Sequence, residues 1–191
     1  VNPSTAQAIV MVDEFVRCGV TDAVLSPGSR STPLAIALAQ AEARGELTLH
    51  VRLDERTAGY LAIGIAKVTG VPAIVVTTSG TAAVNLHPAI VEADQAGIPM
   101  IAITADRPPQ LRGVGANQTI GQPGLFGPAV RLSLDMATAE EREGFVRYWR
   151  STVARVIAAS TDAVHPGPVH VNVPFAEPLV PGAGGEWIEE L

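Results

Sequence analysis

The sequence predicts an α/β domain with a doubly wound, six-stranded parallel sheet flanked by helices, and two observations support this prediction. First, six short apolar segments alternate along the chain with segments of helical apolar spacing. This alternation is typical of parallel strands joined by helical crossovers, which should be right-handed. Second, 47% of the residues are hydrophobic and only 17% are charged, whereas about 25% are charged in an average soluble domain. Such a composition fits a sheet that is covered on both faces.

The predicted elements have recognisable start and stop signals. Asn2 and Pro3 suit the N-cap and the first position of a helix, and Gly19 suits its end. Further helices are predicted over residues 34–43, 58–66, 79–96 and 140–159, the fourth helix of the chain being capped by Ser79-Gly80. The predicted strands cover residues 23–25, 47–53, 73–77, 98–104, 130–134 and 169–173. Gly and Pro interrupt residues 107–128, which predicts a long functional loop, with or without one short helix.

The domain organisation follows from length and composition. A chain of 191 residues has the size of one domain, and we expect residues 1–180 to form it. Residues 181–191 include Gly182-Ala183-Gly184-Gly185 and are predicted to be a linker.

Several classes of protein are disfavoured by the composition. The net charge of -6 and the aromatic content of 4% argue against nucleic-acid binding. Cys18 is the single cysteine, so no internal disulfide forms, and no Cys or His spacing predicts a zinc site. We expect Cys18 to be buried on the first helix and the four histidines to be structural. Neither a signal peptide nor a membrane span is apparent, which fits the cytoplasm.

Ligands of open α/β sheets bind beyond the carboxyl ends of the strands. The polar and charged residues of this apolar chain concentrate in the loops at those ends, which are residues 26–31, 54–56, 78–81 and 105–108. Because the ends of parallel strands meet at one edge of the sheet, these four loops should form one surface, which we call the rim.

Two arginines suggest that the rim receives anions. Ser29 and Arg30 lie where backbone amides open a helix, and a guanidinium binds a carboxylate with two parallel hydrogen bonds. Arg107 has the same chemistry, although a local ion pair with Asp106 is an alternative. Asn117 and Gln118 could equally be turn formers, and Arg30 could equally be an exposed residue of a capped helix.

Glu55 and Ser79 are the other candidates. Glu55 follows a strand and opens a helix of small apolar residues, a setting that desolvates a carboxyl group and strengthens its hydrogen bonds. The alternative is that Glu55 only complements the helix dipole. Ser79 lacks the GxSxG context of a nucleophile, because residue 77 is threonine, and is interpreted as a helix cap.

Motifs in the rim and beyond it resemble one family. They are Ser-Pro-Gly-Ser-Arg-Ser at 26–31, Asp-Glu-Arg-Thr-Ala-Gly-Tyr-Leu-Ala-Ile-Gly-Ile-Ala-Lys at 54–67, Thr-Ser-Gly-Thr-Ala at 78–82, Ala-Asp-Arg-Pro-Pro at 105–109, Gly-Ala-Asn-Gln at 115–118 and Pro-Phe-Ala-Glu-Pro-Leu at 174–179. In this order they resemble the MenD-type 2-succinyl-5-enolpyruvyl-6-hydroxy-3-cyclohexene-1-carboxylate synthases. The match extends over nearly the whole chain, and the glutamate and Ser-Gly-Thr motifs alone would suit many thiamine-diphosphate enzymes.

The resemblance implies a pyrimidine-binding domain of a transferase of menaquinone biosynthesis. Such an enzyme decarboxylates 2-oxoglutarate on thiamine diphosphate and adds the succinyl semialdehyde unit to isochorismate. The resemblance implies that Glu55 hydrogen-bonds N1′ of the aminopyrimidine and so controls its tautomer, with Ser79 also on the cofactor side. It assigns Ser29, Arg30, Arg107, Asn117 and Gln118 to the substrate side.

One departure from the family is the length of the chain. Family members are considerably longer, and a second α/β domain holds the diphosphate through Mg²⁺ or Mn²⁺. The resemblance therefore implies that residues 181–191 lead to an absent central domain, and that no metal ligand lies in this chain. It further implies a homodimer or homotetramer, in which the diphosphate-binding domain of a second subunit completes the site. We expect the isolated chain to be inactive.

Two alternatives remain at this point. Another thiamine-diphosphate enzyme of 2-oxo acids, similar to acetolactate synthase, would share the glutamate and the fold but would use pyruvate. A non-catalytic domain that binds a small anion or mediates dimerisation would tolerate Glu55→Gln without consequence.

Overall fold

The computed structural model describes residues 1–182, 187 and 189–191. Its six strands form one sheet in the order β2-β1-β3-β4-β6-β5, and every neighbouring pair is parallel. The strands are β1 (Asp22–Leu25), β2 (Thr48–Val51), β3 (Ala73–Thr77), β4 (Met100–Asp106), β5 (Ser133–Asp135) and β6 (Pro168–Pro174). The predicted six-stranded parallel α/β fold is therefore confirmed.

Helices cover both faces of the sheet and produce two hydrophobic clusters. The helices are α1 (Pro3–Arg17), α2 (Thr32–Ala43), α3 (Glu55–Thr69), α4 (Thr81–Val84), α5 (His87–Ala96) and α6 (Phe145–Ser160). One cluster joins α1, α2 and α6 to the sheet around Phe15, Leu38 and Trp149. The other joins α3 and α5 to the opposite face around Ile90 and Met100. Because β3 and β4 are buried on both faces, most of their residues are apolar without alternation, as in a parallel sheet. β6 is equally buried but includes His170 and Asn172.

The caps of the first helix follow the predicted chemistry. Asn2 is the N-cap of α1, and its side-chain oxygen accepts a hydrogen bond from the backbone N–H of Thr5 at 2.9 Å. Pro3 occupies the first turn, where a missing N–H costs nothing. The prediction that Cys18 is buried on this helix is wrong, because Cys18 follows the helix as its C-cap and is exposed.

Two predicted helices differ from those observed. The helix predicted to run to residue 96 is divided into α4 and α5, with Asn85 and Leu86 between them. Pro88 lies in the first turn of α5 and has no N–H to continue the hydrogen bonds of α4. The last helix begins at Phe145 rather than at residue 140, because Gly144 adopts a left-handed φ of 90° as its N-cap.

The other differences are local. Residues 107–128 contain the 3-10 turn Pro109–Leu111 and enter a second one, Gly127–Ala129, where the sequence predicted at most one short helix. The two edge strands are shorter than predicted, and β4 is shifted by two residues towards the carboxyl end. Edge strands exchange fewer hydrogen bonds, so their ends depend on tertiary contacts that apolar patterning does not report.

The carboxyl-terminal segment is only partly described. Of the linker predicted over residues 181–191, residues 183–186 and 188 lie outside the described residues. Trp187 is buried and packs on Trp149, with ring centroids 5.9 Å apart, so this part of the segment returns to α6. The domain boundary at residue 180 stays a prediction. In the described part of the chain, no helix combines the length and apolar character needed to cross a membrane.

Candidate functional site

The rim is assembled as predicted, because all six strands point their carboxyl ends in one direction. Ser29 and Arg30 follow β1, Glu55 follows β2, Ser79 follows β3 and Arg107 follows β4. Neighbouring strands lie about 4.8 Å apart, so the ends of β2 and β4 are roughly 14 Å apart. The rim is therefore wide enough for more than one small ligand.

Arg107 is the centre of a cluster with Ser79 and Gln118. Its Nη1 donates hydrogen bonds to Ser79 Oγ and to the carbonyl oxygen of Gln118, the latter at 2.9 Å. Gln118 in turn donates from Nε2 to the carbonyl oxygen of Ser79 at 2.9 Å. Three of the predicted site residues are thus brought into direct contact. The interpretation of Ser79 as a helix cap is wrong. The N-cap of α4 is Gly80, and no side chain makes a capping hydrogen bond to this helix.

The acceptors of Arg107 are neutral, which leaves its positive charge without an ion pair among the described residues. Burial lowers the pKa of Arg107, and repulsion from Arg30 lowers it further, while Asp106 and Glu177 act in the opposite direction. The two guanidinium groups are thus close enough to feel each other's charge. A carboxylate bound between them would relieve that repulsion and gain charge-assisted hydrogen bonds.

Arg30 is held at the other side of this anion-binding region. Its side chain is 12% exposed, with Nη2 3.2 Å from Glu177 Oε1 and Nη1 donating to the carbonyl oxygen of Phe175 at 2.9 Å. Nε of Arg30 is buried with no hydrogen-bond partner in the described structure. Glu177 is 69% exposed, so its single long contact is a weak surface ion pair that a ligand carboxylate could replace.

Ser29 and Asn117 are at the rim but are not part of the arginine cluster. Ser29 is exposed in the 3-10 turn Ser29–Ser31, and its carbonyl oxygen accepts from Thr32. Asn117 is exposed, and its carbonyl oxygen accepts from Thr119. Next to it, Gln118 has a φ of 55°, the single positive φ of a described residue other than glycine. Such a conformation persists only where surrounding contacts impose it.

Glu55 is the first residue of α3 and is half-buried. Asn85, in the break between α4 and α5, donates from Nδ2 to Glu55 Oε2 at 3.3 Å. The helix behind Glu55 is partly the apolar wall that the sequence predicted, since Ala58, Gly59 and Ala62 are buried but Gly64 is exposed. The division of the predicted fourth helix thus supplies Asn85, a contact of Glu55 that the sequence did not indicate.

The other carboxylates near the rim are already engaged. Asp54 caps α3 through the N–H and hydroxyl of Thr57. Asp106 pairs with Arg112, and Glu177 pairs with Arg30. Among the described residues, Glu55 accepts a hydrogen bond through Oε2 alone, so Oε1 is available to a ligand. A carboxyl group with one available oxygen fits the aminopyrimidine of thiamine, whose ring nitrogen needs a carboxyl group as partner.

A buried polar network beneath the rim was missed by the sequence analysis. It consists of Thr104, Asp106, Gln122, His170 and Asn172, all of them fully buried. A signal for it was present, because polar residues at 170 and 172 alternate with valines in a strand that is otherwise apolar. The alternative of an Asp106–Arg107 ion pair is wrong, because the Asp106 carboxylate accepts from the backbone N–H of Arg107 and pairs with Arg112.

In residues 1–182 and the described part of the tail, no group of three or more His, Cys, Asp or Glu side chains is arranged to hold a metal ion.

Comparisons with known proteins agree with this geometry. Residues 6–125 match the family described as "Thiamine pyrophosphate enzyme, N-terminal TPP binding domain". The chain is also similar to proteins named 2-succinyl-5-enolpyruvyl-6-hydroxy-3-cyclohexene-1-carboxylate synthase. The relative from Saccharopolyspora erythraea is 57% identical over 190 residues, which cover 100% of this chain and 34% of the relative.

Two further relatives with the same name give a similar result. The one from Thermobifida fusca is 56% identical over 189 residues, covering 98% of this chain and 34% of the relative. The one from Mycobacterium tuberculosis is 54% identical over 186 residues, covering 94% and 34%. The chain therefore spans about a third of the length of these relatives. The resemblance seen in the motifs is confirmed, and the chain belongs to the thiamine pyrophosphate enzymes, as a member of their N-terminal TPP binding domain family.

Proposed function

We propose that this chain is the cofactor-activating domain of a 2-succinyl-5-enolpyruvyl-6-hydroxy-3-cyclohexene-1-carboxylate synthase of menaquinone biosynthesis. The whole enzyme decarboxylates 2-oxoglutarate and adds the succinyl semialdehyde unit to isochorismate. The name shared by the relatives supports this proposal. The structural observation that carries it is the rim itself, where Glu55 has no ion pair with another described residue and Arg30 and Arg107 repel each other electrostatically.

Glu55 acts on the cofactor in this proposal. Thiamine diphosphate, when bound, supplies a carbon acid that adds to 2-oxo acids and accepts the negative charge left by decarboxylation. Asn85 holds Glu55 Oε2, so Oε1 is the atom that holds the proton shared with the pyrimidine nitrogen. Ala58 and Gly59 form part of the buried side of the helix that begins at Glu55, and an apolar setting strengthens a hydrogen bond of this kind. Ser79 keeps its hydroxyl hydrogen for the cofactor side, because its Oγ accepts from Arg107.

The arginines bind substrate carboxylates in this proposal. Both 2-oxoglutarate and isochorismate are carboxylates at neutral pH, and the closely placed guanidinium groups of Arg30 and Arg107 receive them. Gln118, Ser29 and Asn117 supply neutral hydrogen-bonding groups beside the arginines. A substrate carboxylate replaces Glu177 on Arg30, which requires little free energy because that ion pair is exposed.

The remaining parts of the site come from outside this chain. We propose that the diphosphate-binding domain of a second subunit completes the site in a homodimer or homotetramer. That domain holds the diphosphate through Mg²⁺ or Mn²⁺. Apolar side chains on and beside α3 are available for such a contact, since Leu53 is 85%, Tyr60 46% and Val68 87% exposed. The proposed pathway supports a cytoplasmic location.

The substrate assignment is tested with the full-length protein. Isochorismate consumption is followed by its absorbance with Mg²⁺ and thiamine diphosphate, and with either 2-oxoglutarate or pyruvate. We expect isochorismate to be consumed with 2-oxoglutarate and not with pyruvate, because pyruvate lacks the second carboxylate that an arginine would bind. Turnover of pyruvate without isochorismate would instead identify an enzyme similar to acetolactate synthase. Absence of any cofactor-dependent turnover would favour a non-catalytic anion-binding domain.

A further inference from the structure

Gln122 is a fully buried polar residue in the irregular segment that follows β4. Its Oε1 accepts a hydrogen bond from the backbone N–H of Gly80 at 2.7 Å. Its Nε2 donates to the carbonyl oxygen of Ala105 at 3.1 Å and to Asn172 Oδ1 at 2.9 Å. One side chain thus joins the loop after β3, the end of β4, the middle of β6 and the long loop.

The direction of these hydrogen bonds is fixed by the backbone. The N–H of Gly80 can only donate, and the carbonyl of Ala105 can only accept, so the amide of Gln122 has one possible orientation. Asn172 Oδ1 must therefore face Gln122, which turns Asn172 Nδ2 towards the carboxylates of Asp106 at 2.9 Å and Asp135 at 2.8 Å. Inverting one amide would bring donors against donors and acceptors against acceptors in this network.

The network reaches the arginine cluster from two sides. Asp106 Oδ1 accepts the backbone N–H of Arg107 at 2.7 Å. Gly80 follows Ser79, whose oxygen atoms accept from Arg107 and Gln118. A Cβ on Gly80 would lie 2.9 Å from Gln118 Cγ, so the segments that carry Gly80 and Gln118 are in direct contact. Gln122 fixes both segments, since it is covalently linked to one and hydrogen-bonded to the other.

We propose that Gln122 is a positioning residue that holds Arg107 and Gln118 at the geometry required for carboxylate substrates. This inference rests on the proposed function. Gln122 itself lies below the rim and acts through the two segments that carry the acceptors of Arg107. A displacement of about 1 Å in a binding group costs up to roughly 100-fold in rate, so a change in one buried amide is expected to be visible in kinetics.

The test uses the full-length protein with Gln122→Glu, Gln122→Met and the control Ser160→Ala. Gln122→Glu keeps the shape but presents oxygen atoms to Ala105 and Asn172, and Gln122→Met removes all three hydrogen bonds. Ser160 is equally buried and donates to the carbonyl oxygen of Gly167 at 2.9 Å. Because Gly167 precedes the start of β6, this control removes a buried hydrogen bond at the edge of the sheet opposite to the rim.

The expected result is a fall of roughly tenfold to 100-fold in kcat/KM for 2-oxoglutarate in both Gln122 variants, mainly through KM. Hydrogen exchange at the Gly80 amide should also become faster. Ser160→Ala should lower the unfolding temperature without changing kcat/KM. Should Gln122→Glu fail to fold, Gln122→Met provides the same comparison.

A double-mutant cycle distinguishes positioning from general destabilisation. If Gln122 acts through Arg107 and Gln118, Gln122→Met should lower kcat/KM clearly less in the Arg107→Ala background than in the wild type, because one of the two positioned groups is already absent. Additive losses would overturn the proposal, as would a folded Gln122→Glu variant with wild-type KM. Wild-type turnover in the same assay tests the proposed function separately, so the two failures are distinguishable.

Discussion

His170 is the clearest case of a single residue whose protonation is fixed by its surroundings. It lies fully buried on β6, and burial lowers its pKa to about 4, although the nearby Asp135 acts in the opposite direction. Thr104 Oγ1 is 2.9 Å from Asn172 Oδ1 and uses its one hydrogen there, so its oxygen accepts from His170 Nε2 at 2.8 Å. The imidazole is therefore neutral with its hydrogen on Nε2.

This arrangement predicts a loss of stability as the pH falls. The pKa of His170 is about 4 in the folded chain and about 6.5 in the unfolded chain. Between these values the unfolded chain binds more protons, so the free energy of unfolding decreases as pH decreases from 6.5 to 4. His170 alone should contribute a decrease of about 2 kcal/mol between pH 7 and pH 5.

Urea unfolding of the 191-residue chain at both pH values measures this contribution. His170→Gln should remove about 2 kcal/mol of the pH dependence, whereas His165→Gln, a change at an exposed histidine, should leave it unaltered. An unchanged pH dependence in His170→Gln would contradict a neutral buried imidazole.

Arg107 shows which features of a single residue can be predicted from the sequence and which cannot. Asp106 and Arg107 are adjacent, which suggested a local ion pair. Asp106 is the last residue of β4 and Arg107 follows the strand. The Asp106 side chain joins the buried network, while Arg107 contacts Ser79 and Gln118. The residue types therefore predicted that Arg107 lies at the rim, but its hydrogen-bond partners depend on the direction of its side chain, which residue types do not report.

At the scale of elements, apolar patterning predicted the four central strands, because each contains buried apolar residues. The edge strands β2 and β5 contain no fully buried residue, and both are shorter than predicted. Apolar patterning also gave the helix boundaries less well. The break between α4 and α5 depends on Pro88, a single residue within an otherwise helical pattern. Asn85, which donates a hydrogen bond to Glu55, lies in that break. A prediction of one continuous helix therefore could not indicate this contact.

The loop after β3 permits a prediction with a matched control. Gly80 and Gly45 have φ angles of +83° and +73°, but an added Cβ meets Gln118 only at Gly80, whereas Gly45 has open space. Alanine at either position should cost about 1–2 kcal/mol of stability, because left-handed backbone is strained for residues with a Cβ. Only Gly80→Ala should also displace Gln118.

Thermal unfolding and steady-state kinetics of the full-length protein separate these effects. Both variants should lose stability, and only Gly80→Ala should raise KM for 2-oxoglutarate. An equal KM in Gly80→Ala and Gly45→Ala would contradict the role of the contact between Gly80 and Gln118.

At the scale of the whole molecule, our proposal is that the chain supplies one side of a site. It spans about a third of the length of its relatives, and Glu55 provides one hydrogen bond to the cofactor in our proposal. A single buried hydrogen bond contributes only about 1 kcal/mol. The 191-residue chain should therefore bind thiamine diphosphate weakly and be inactive by itself.

Isothermal titration calorimetry tests this expectation. We predict a Kd on the order of 1 mM or weaker for the 191-residue chain with Mg²⁺, and much tighter binding by the full-length protein. Saturable micromolar binding by the short chain would contradict the shared site.

The central claim is that the Glu55 carboxyl group activates the cofactor, and one measurement tests it most directly. Glu55→Gln and the control Glu92→Gln, at an exposed position of α5, are compared in the full-length protein for isochorismate consumption with 2-oxoglutarate. Glu55→Gln should lower kcat by about 10²–10⁴-fold, because an amide cannot hold the shared proton, while Glu92→Gln should be unchanged. A folded Glu55→Gln variant with wild-type kcat would contradict the account.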